Sequence, residues 1–199
     1  MRHLMAHASG LGFDSDASST FKPGIRRIYS NVGIEKLANH LQTAAGIPFT
    51  DYLVEAVIEP LGLVGFEAQG SPAHGMRASI NHLLALGREL MNPTLVARET
   101  LDHATSPVFP ELPGVLPGFG SADPNLWGLG FEIRGNKNPH WTGTRLDPTT
   151  FGHFGGSGSF LWVDPTRQLV GASLSSEAFG PWAIDAWPTA NTVLIERYG

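Results

Sequence analysis

Residues 150–176 read TFGHFGGSGSFLWVDPTRQLVGASLSS, and the fold turns on this stretch. Two runs in it, SGSFLWV (157–163) and QLVGASLS (168–175), have the length and the branched and aromatic content of strands. Asp164-Pro165-Thr166-Arg167 between them supplies turn residues, so the pair predicts an antiparallel hairpin. Side chains alternate between the two faces of a strand. Phe160 and Trp162 therefore share one face, and Leu161 and Val163 share the other. A strand apolar on both faces belongs inside a sheet that helices cover on each side. Just before it, four glycines and one histidine crowd into Gly152 to Gly158. An ionisable side chain set among the most flexible residues, at the mouth of a buried strand, calls for a functional explanation.

Working outward, the chain is predicted to end in a helix from about Trp187, with Val193, Leu194 and Ile195 covering one sheet face. Upstream, LWGLGFEIRG (126–135) reads as a further strand, ended by the turn-rich GNKNPHWTG (135–143). SPVFPELPGVLPGFGSADP (106–124) carries five prolines and reads as a loop crossing between two lobes. The first half is mostly helical. Ile34, Leu37, Leu41 and Ala44 or Ala45 form a helical stripe that Gly46 and Pro48 end. In PFTDYLVEAVIEP (48–60), Thr50 is a cap, Phe49 staples onto Val54, and Pro60 stops the helix. Ser79 caps a third helix whose buried face holds Ile80, Leu83, Leu84, Leu90 and Met91, and TLVARETLDHA (94–104) is a short fourth. There is no internal repeat.

Composition narrows the function. The 199 residues are 42% hydrophobic and 16% charged, the balance of a chain that forms a core. The net charge of −5 comes from 13 basic and 18 acidic residues with no basic stripe, which argues against nucleic acid as a partner. No apolar stretch reaches membrane-spanning length. The absence of cysteine rules out disulfides and thiolate metal sites. The opening MRHLMAHASG lacks the apolar core of a signal peptide, which leans towards the cytoplasm unless a signal stands upstream.

Several local patterns suggest chemistry. Ser157 in GGSGS (155–159) approaches a Gly-x-Ser-x-Gly nucleophile elbow, but position 159 is serine and a strand follows instead of a helix. The same glycines lack the Gly-Lys-Ser/Thr ending of a phosphate loop. His3 and His7 are four apart and would share a helix face as metal ligands can, yet no third ligand stands at a known spacing, so the expectation is no metal. Ser19 and Lys22 in STFK have the spacing of a serine nucleophile and its lysine base, one helical turn apart. Pro23 and Gly24 follow at once and break any helix that could hold the pair in register, so the match reads as coincidence. Tyr29-Ser30-Asn31 precedes the strongest helix. It is either an asparagine cap or a phenol and an amide held at a cleft.

The order of four segments decides between these readings. RHLMAHASGLGFD (2–14), PGIRRIYSNVGIEKLANHL (23–41), PFTDYLVEAVIEPLGL (48–63) and FGHFGGSGSFLWVDPTRQLVGASLSS (151–176) together resemble the serine β-lactamase-related family, which includes class C β-lactamases, D-alanyl-D-alanine carboxypeptidases and related esterases. Tyr29-Ser30-Asn31 is similar to that family's Tyr-x-Asn motif, His153-Phe154-Gly155 to its Lys/His-Thr-Gly motif, and His7 to Leu11 to its His-Thr-Ser-Gly-Leu segment. The resemblance implies an α+β, transpeptidase-like fold. It makes residues 1–199 one partial domain, with 1–120 a mostly helical lobe and 121–199 the sheet strands and C-terminal helix. It implies a serine hydrolase of esterase type, with Tyr29, Asn31 and His153 catalytic and Phe154, Gly155 and Gly156 forming the oxyanion and substrate-binding edge. A backbone N–H around Gly156 would hold the oxyanion, and no metal or organic cofactor is expected. The partner would be a small ester or amide.

Two departures from the family pattern matter. The family's Ser-x-x-Lys lies several dozen residues before the His-Thr-Ser-Gly-Leu segment, near which this chain begins, so the nucleophile and the first strands are expected outside it. Self-association through the uncovered sheet edge is then expected. Phe154 stands where the family commonly has threonine or serine. The alternative is a non-catalytic remnant of the same fold that acts as a binding or partner-dependent module.

Overall fold

A computed structural model describes residues 1–14 and 21–199 of the chain. The fold is α+β, with helices and strands in the order α1 (Arg2–Met5), α2 (Asn31–Ala45), α3 (Phe49–Leu53), α4 (Ile80–Met91), α5 (Arg98–Ala104), β1 (Gly114–Leu116), β2 (Gly120–Ala122), β3 (Glu132–Ile133), β4 (Phe151–Gly155), β5 (Ser159–Asp164), β6 (Leu169–Ser173) and α6 (Pro181–Tyr198). β3 to β6 form one antiparallel sheet in sequential order, and β1 and β2 pair separately.

The hairpin predicted at 157–175 is β5 and β6, in register from Phe160 opposite Ser173 to Asp164 opposite Leu169. Asp164 closes it: its carboxylate accepts the Arg167 N–H at 3.0 Å and pairs with the Arg167 guanidinium at 2.9 Å. Both faces are covered, as the two-sided apolar pattern requires. On one face Phe160 and Trp162 join Trp141, Leu146, Ala183, Trp187 and Ile195 in the main core, and α6 supplies the last three. On the other face α4 lies so close that a Cβ at Gly87 would stand 2.2 Å from the side chain of Val170. Val163 there packs with Ile133 and Phe151. Trp162 is anchored as well as buried, since its indole N–H donates to Asn191 Oδ1 at 2.9 Å and the Asn191 amide donates to the Trp141 carbonyl at 3.2 Å.

The helical half follows its stop and start signals. Gly46 ends α2 in the left-handed conformation at φ 74°. Ser79 caps α4 through a reciprocal pair in which the ring of His82 bonds back to the Ser79 N–H. Ile80, expected on the buried face of α4, is exposed, and α5 starts at Arg98 and not at Thr94. Four further expectations need correction. Thr50 does not cap α3, which starts at Phe49 behind Pro48 and runs into a π-helical turn at Val54–Ile58. The proline-rich segment is not all loop, because Gly114–Leu116 and Gly120–Ala122 pair across a turn. The strand expected at 126–135 shrinks to Glu132–Ile133, since the chain doubles back and Trp127 bridges Glu132. α6 begins at Pro181, six residues before Trp187, and Val193 faces solvent. No helix among the described residues is long and apolar enough to cross a membrane.

Candidate active site

One cavity of about 1060 Å³ opens between the helical half and the sheet. Tyr29, Asn31, His153, Phe154, Gly155 and Gly156, the residues singled out in the sequence, all line it. Each arrives by a different route. Ser30 has β backbone and its hydroxyl accepts the Gly33 N–H at 2.9 Å, so Ser30 caps α2 and Asn31 is its first helical residue. Such a cap contributes about 1 kcal/mol. It also fixes Tyr29 and Asn31 at the helix entrance. The Asn31 amide donates to Asp14 Oδ1 at 2.9 Å. β4 delivers His153, opposite Leu161 in the register with β5.

Four rings meet where these elements converge. His7 stacks obliquely on Tyr29 at 4.4 Å and meets Trp127 edge-on at 4.6 Å. His153 lies 5.5 Å from Tyr29 and 5.6 Å from Trp127. Hydrogen bonds set the tautomers of both histidines. His153 Nδ1 lies 2.6 Å from the Phe154 carbonyl and must donate to it, which leaves Nε2 as an acceptor. His7 Nδ1 accepts the Ser30 N–H at 3.1 Å, so its proton sits on Nε2. Burial lowers both imidazoles, His7 to about 3, with His153 and Arg27 adding to the effect on His7. Burial also raises the Tyr29 phenol. At neutral pH the site therefore holds two uncharged imidazoles and a protonated phenol. A neutral imidazole acceptor beside a phenol can relay a proton.

The glycines shape one edge. Gly155 closes β4, and a Cβ at Gly156 would meet nothing within 4 Å, so a ligand can approach the main chain there. Phe154 lines the cavity, but its ring also packs against Phe179 at 4.9 Å and against Trp141 and Trp187 at 5.7 Å. Ser157 sits on the exposed turn between β4 and β5, with its hydroxyl 2.7 Å from that of Ser159, and β5 follows it; it is no nucleophile elbow. His3 and His7 do not share a helix face, because α1 stops at Met5 and His7 has a φ of 51°. No cluster of three metal-ligating side chains occurs among the described residues. Ser19 lies outside them.

The sequence reading missed a buried ionic network at the cavity. Glu132, itself a lining residue, accepts from Lys137 Nζ at 2.6 Å, His140 Nε2 at 3.0 Å and Trp141 Nε1 at 2.8 Å. Burial alone would raise the Glu132 carboxyl, but Lys137 and His140 outweigh it and hold the group far below the usual range. The turn-rich segment 135–143 is thus wrapped around one carboxylate. Arg27 was missed as well. Its guanidinium donates to the carbonyls of Ala6, Val108, Phe109 and Asn125. The nearest sequence signal was a pair of arginines just before the Tyr-Ser-Asn stretch, which by itself says nothing about burial.

Comparison with known proteins places this architecture. The family model described as Beta-lactamase matches residues 1–71 and 64–193. A crystal structure of a beta-lactamase from Mycobacterium bovis superposes with a TM-score of 0.95 at 46% identity, over 99% of this chain and 73% of that one. A mutant simvastatin synthase from Aspergillus terreus shares the fold, with a TM-score of 0.78 at 17% identity over 99% of this chain and 68% of that one. An Escherichia coli K12 protein, provisionally named D-alanyl-D-alanine carboxypeptidase, is 23% identical over 82% of this chain and 48% of its own length. The chain thus spans about half the length of the curated relatives it matches.

Proposed function

The chain belongs to the beta-lactamase family, and from that premise we propose that it forms the proton-relay and oxyanion half of an esterase-type serine acyl-transfer site. One observation carries this reading: His153, whose Nε2 has no hydrogen-bond partner among the described residues, shares a cavity with the protonated Tyr29 and the open main chain at Gly156. In the reaction, a serine hydroxyl from a Ser-x-x-Lys segment outside the described residues attacks a substrate carbonyl and gives up its proton to the relay. The Gly156 N–H region takes the charge that develops on the carbonyl oxygen. Collapse of the tetrahedral intermediate expels an alcohol, which recovers the proton from Tyr29, and water then hydrolyses the serine ester by the reverse sequence. Asn31 orients the substrate. With an aromatic ring at position 154 in place of a hydroxyl, the site favours neutral esters over substrates that carry a carboxylate there.

The reading also implies self-association. β6 is an edge of the main sheet and pairs only with β5 among the described residues, which supports edge-to-edge contact between copies. Light scattering should report species larger than the monomer, and a monodisperse monomer would remove that proposal.

The enzymatic proposal is tested by intact-mass analysis after treatment with a fluorophosphonate. The chain alone should give no stoichiometric adduct, whereas a chain extended upstream through a Ser-x-x-Lys segment should give one. An adduct mapped to Ser19 or Ser157 would overturn the assignment of the nucleophile. No adduct on the extended chain would favour the non-catalytic module.

A further inference from the structure

Phe13 lines the cavity, and 53% of its surface is exposed. Three successive residues here are stapled to the start of α2. The Ser30 hydroxyl donates to the Gly12 carbonyl at 2.7 Å, the Asn31 N–H donates to the Phe13 carbonyl at 2.9 Å, and the Asn31 amide donates to Asp14 Oδ1 at 2.9 Å. The ring of Phe13 lies 5.9 Å from that of Tyr29. The main-chain bonds do not explain the choice of phenylalanine, because they would be the same with any side chain. A single exposed apolar residue is ordinary on a protein surface. One held in place inside a cavity, beside a group that moves a proton, is a preorganised contact for an apolar ligand. Of the other rings near Tyr29, His7 and Trp127 are buried and His153 belongs to the relay, so Phe13 is the one free to meet a ligand.

The position of Tyr29 says which part of the ligand meets it. In the proposed acyl transfer the carbonyl oxygen sits at the Gly156 N–H region, and the leaving alcohol recovers its proton from Tyr29. The alcohol oxygen therefore comes to the phenol, and the group it carries reaches the neighbouring ring of Phe13. Phe179, by contrast, is tied to the oxyanion edge, since its N–H donates to the Gly156 carbonyl at 3.0 Å. Aromatic pairs gain from offset or edge contact beyond the area they bury, so a ring suits Phe13 better than a saturated group. The Asp14 carboxylate, held at the same entrance by the Asn31 amide, repels an anionic group. We propose that Phe13 is a specificity-determining residue, and that the substrates are esters of aromatic alcohols without negative charge, whose ring lies on Phe13. The inference rests on the acyl-transfer reading and names the alcohol half of its substrate.

Binding to the chain itself tests this. Benzyl acetate carries a ring on the alcohol side, and cyclohexylmethyl acetate replaces it with a saturated ring of similar size. Methyl phenylacetate is an isomer of benzyl acetate with its ring on the acyl side. Titrations of the isotope-labelled chain, followed at the Gly156 amide and the Tyr29 ring, give the three affinities. Benzyl acetate should bind about fivefold more tightly than either of the others. In Phe13→Leu, which keeps an apolar side chain and the main-chain bonds, the three should agree within about twofold. Equal affinities for benzyl and cyclohexylmethyl acetate on the unaltered chain would overturn the aromatic subsite and leave the cavity reading standing. Binding of methyl phenylacetate as tight as that of benzyl acetate would overturn the alcohol-side assignment. A preference that survives in folded Phe13→Leu would overturn the assignment to Phe13. No response at Gly156 or Tyr29 to any ligand would overturn the acyl-transfer reading and the subsite with it. Should the variant fail to fold, the Phe13 ring protons of the unaltered chain decide: benzyl acetate should shift them, and a ring seated elsewhere would leave them unmoved.

Discussion

Gly171 lies opposite Trp162 across the β5–β6 hairpin, and a Cβ on it would stand 2.1 Å from the indole ring. The indole cannot retreat, because its N–H is bonded to Asn191 and the main core packs around it. Gly171→Ala should therefore cost about 3 kcal/mol, the upper range for overfilling a packed core. Thermal unfolding should shift down by roughly 6–12 °C for a chain of this size. An unchanged midpoint would mean that β6 slides relative to β5.

His7 makes stability depend on pH in a defined direction. Its folded value of about 3 lies below the ordinary 6.5, so the fold favours the neutral ring. That contribution is complete above pH 6.5 and is lost as the pH falls towards 3, at about 1.4 kcal/mol per unit. Between pH 6.5 and 5 the chain should lose about 2 kcal/mol from this group. His7→Asn keeps an acceptor for the Ser30 N–H without a titrating ring. Urea denaturation at the two pH values should show a smaller loss in the variant, and equal losses would place the acid sensitivity elsewhere.

Glu132 acts in a lower window. Its carboxyl is held below the model-peptide range of about 4.5, so its contribution is present above that pH and lost beneath it. At pH 7, Glu132→Gln strands the buried Lys137 ammonium, which should cost about 3–5 kcal/mol. Replacing Lys137 with methionine in the same chain should restore most of that, because the cost comes from leaving the ammonium buried and unpaired and not from losing the carboxylate itself. A single variant that costs less than about 1 kcal/mol would show that the network tolerates an unpaired cation.

Phe154→Thr separates two roles of one ring. Loss of its packing on Phe179 and Trp187 should destabilise the chain by about 2–3 kcal/mol, less than a fully buried phenylalanine would. In an active, upstream-extended protein, the ratio of kcat/KM for a chromogenic cephalosporin over a p-nitrophenyl ester should rise about tenfold, because a hydroxyl can bond the carboxylate. A lower midpoint with an unmoved ratio would confine Phe154 to the core and remove the basis for an ester preference.

What could be read in the sequence was whatever a local pattern determines. Ser79 and Gly46 announce helix ends because capping involves residues close in the chain. The β5–β6 hairpin shows in two runs rich in branched and aromatic residues joined by turn residues, and the glycines around His153 mark the strand edge that reaches the cavity. Residues whose roles depend on distant partners gave no such signal. Lys137 and His140 sit in a segment that looks like ordinary turns until Glu132 is brought to them. Asn125 follows the proline-rich stretch, and only the approach of Gly114 and Arg27 buries its carboxamide. β1 and β2 were hidden because their prolines fall between and beside the paired residues and not within them.

The four carbonyls on Arg27 have a kinetic consequence. They belong to residues 21, 81, 82 and 98 positions away in the chain. Contacts of such long sequence separation carry the largest loop-closure cost and form late. The β5–β6 hairpin, whose contacts are local, can be in place while this clamp is still open. A partly folded chain would then have this hairpin but no finished cavity wall at Asn125. A ligand that needs that wall would bind only the completed fold, and its presence would hold newly made chains in that state by mass action.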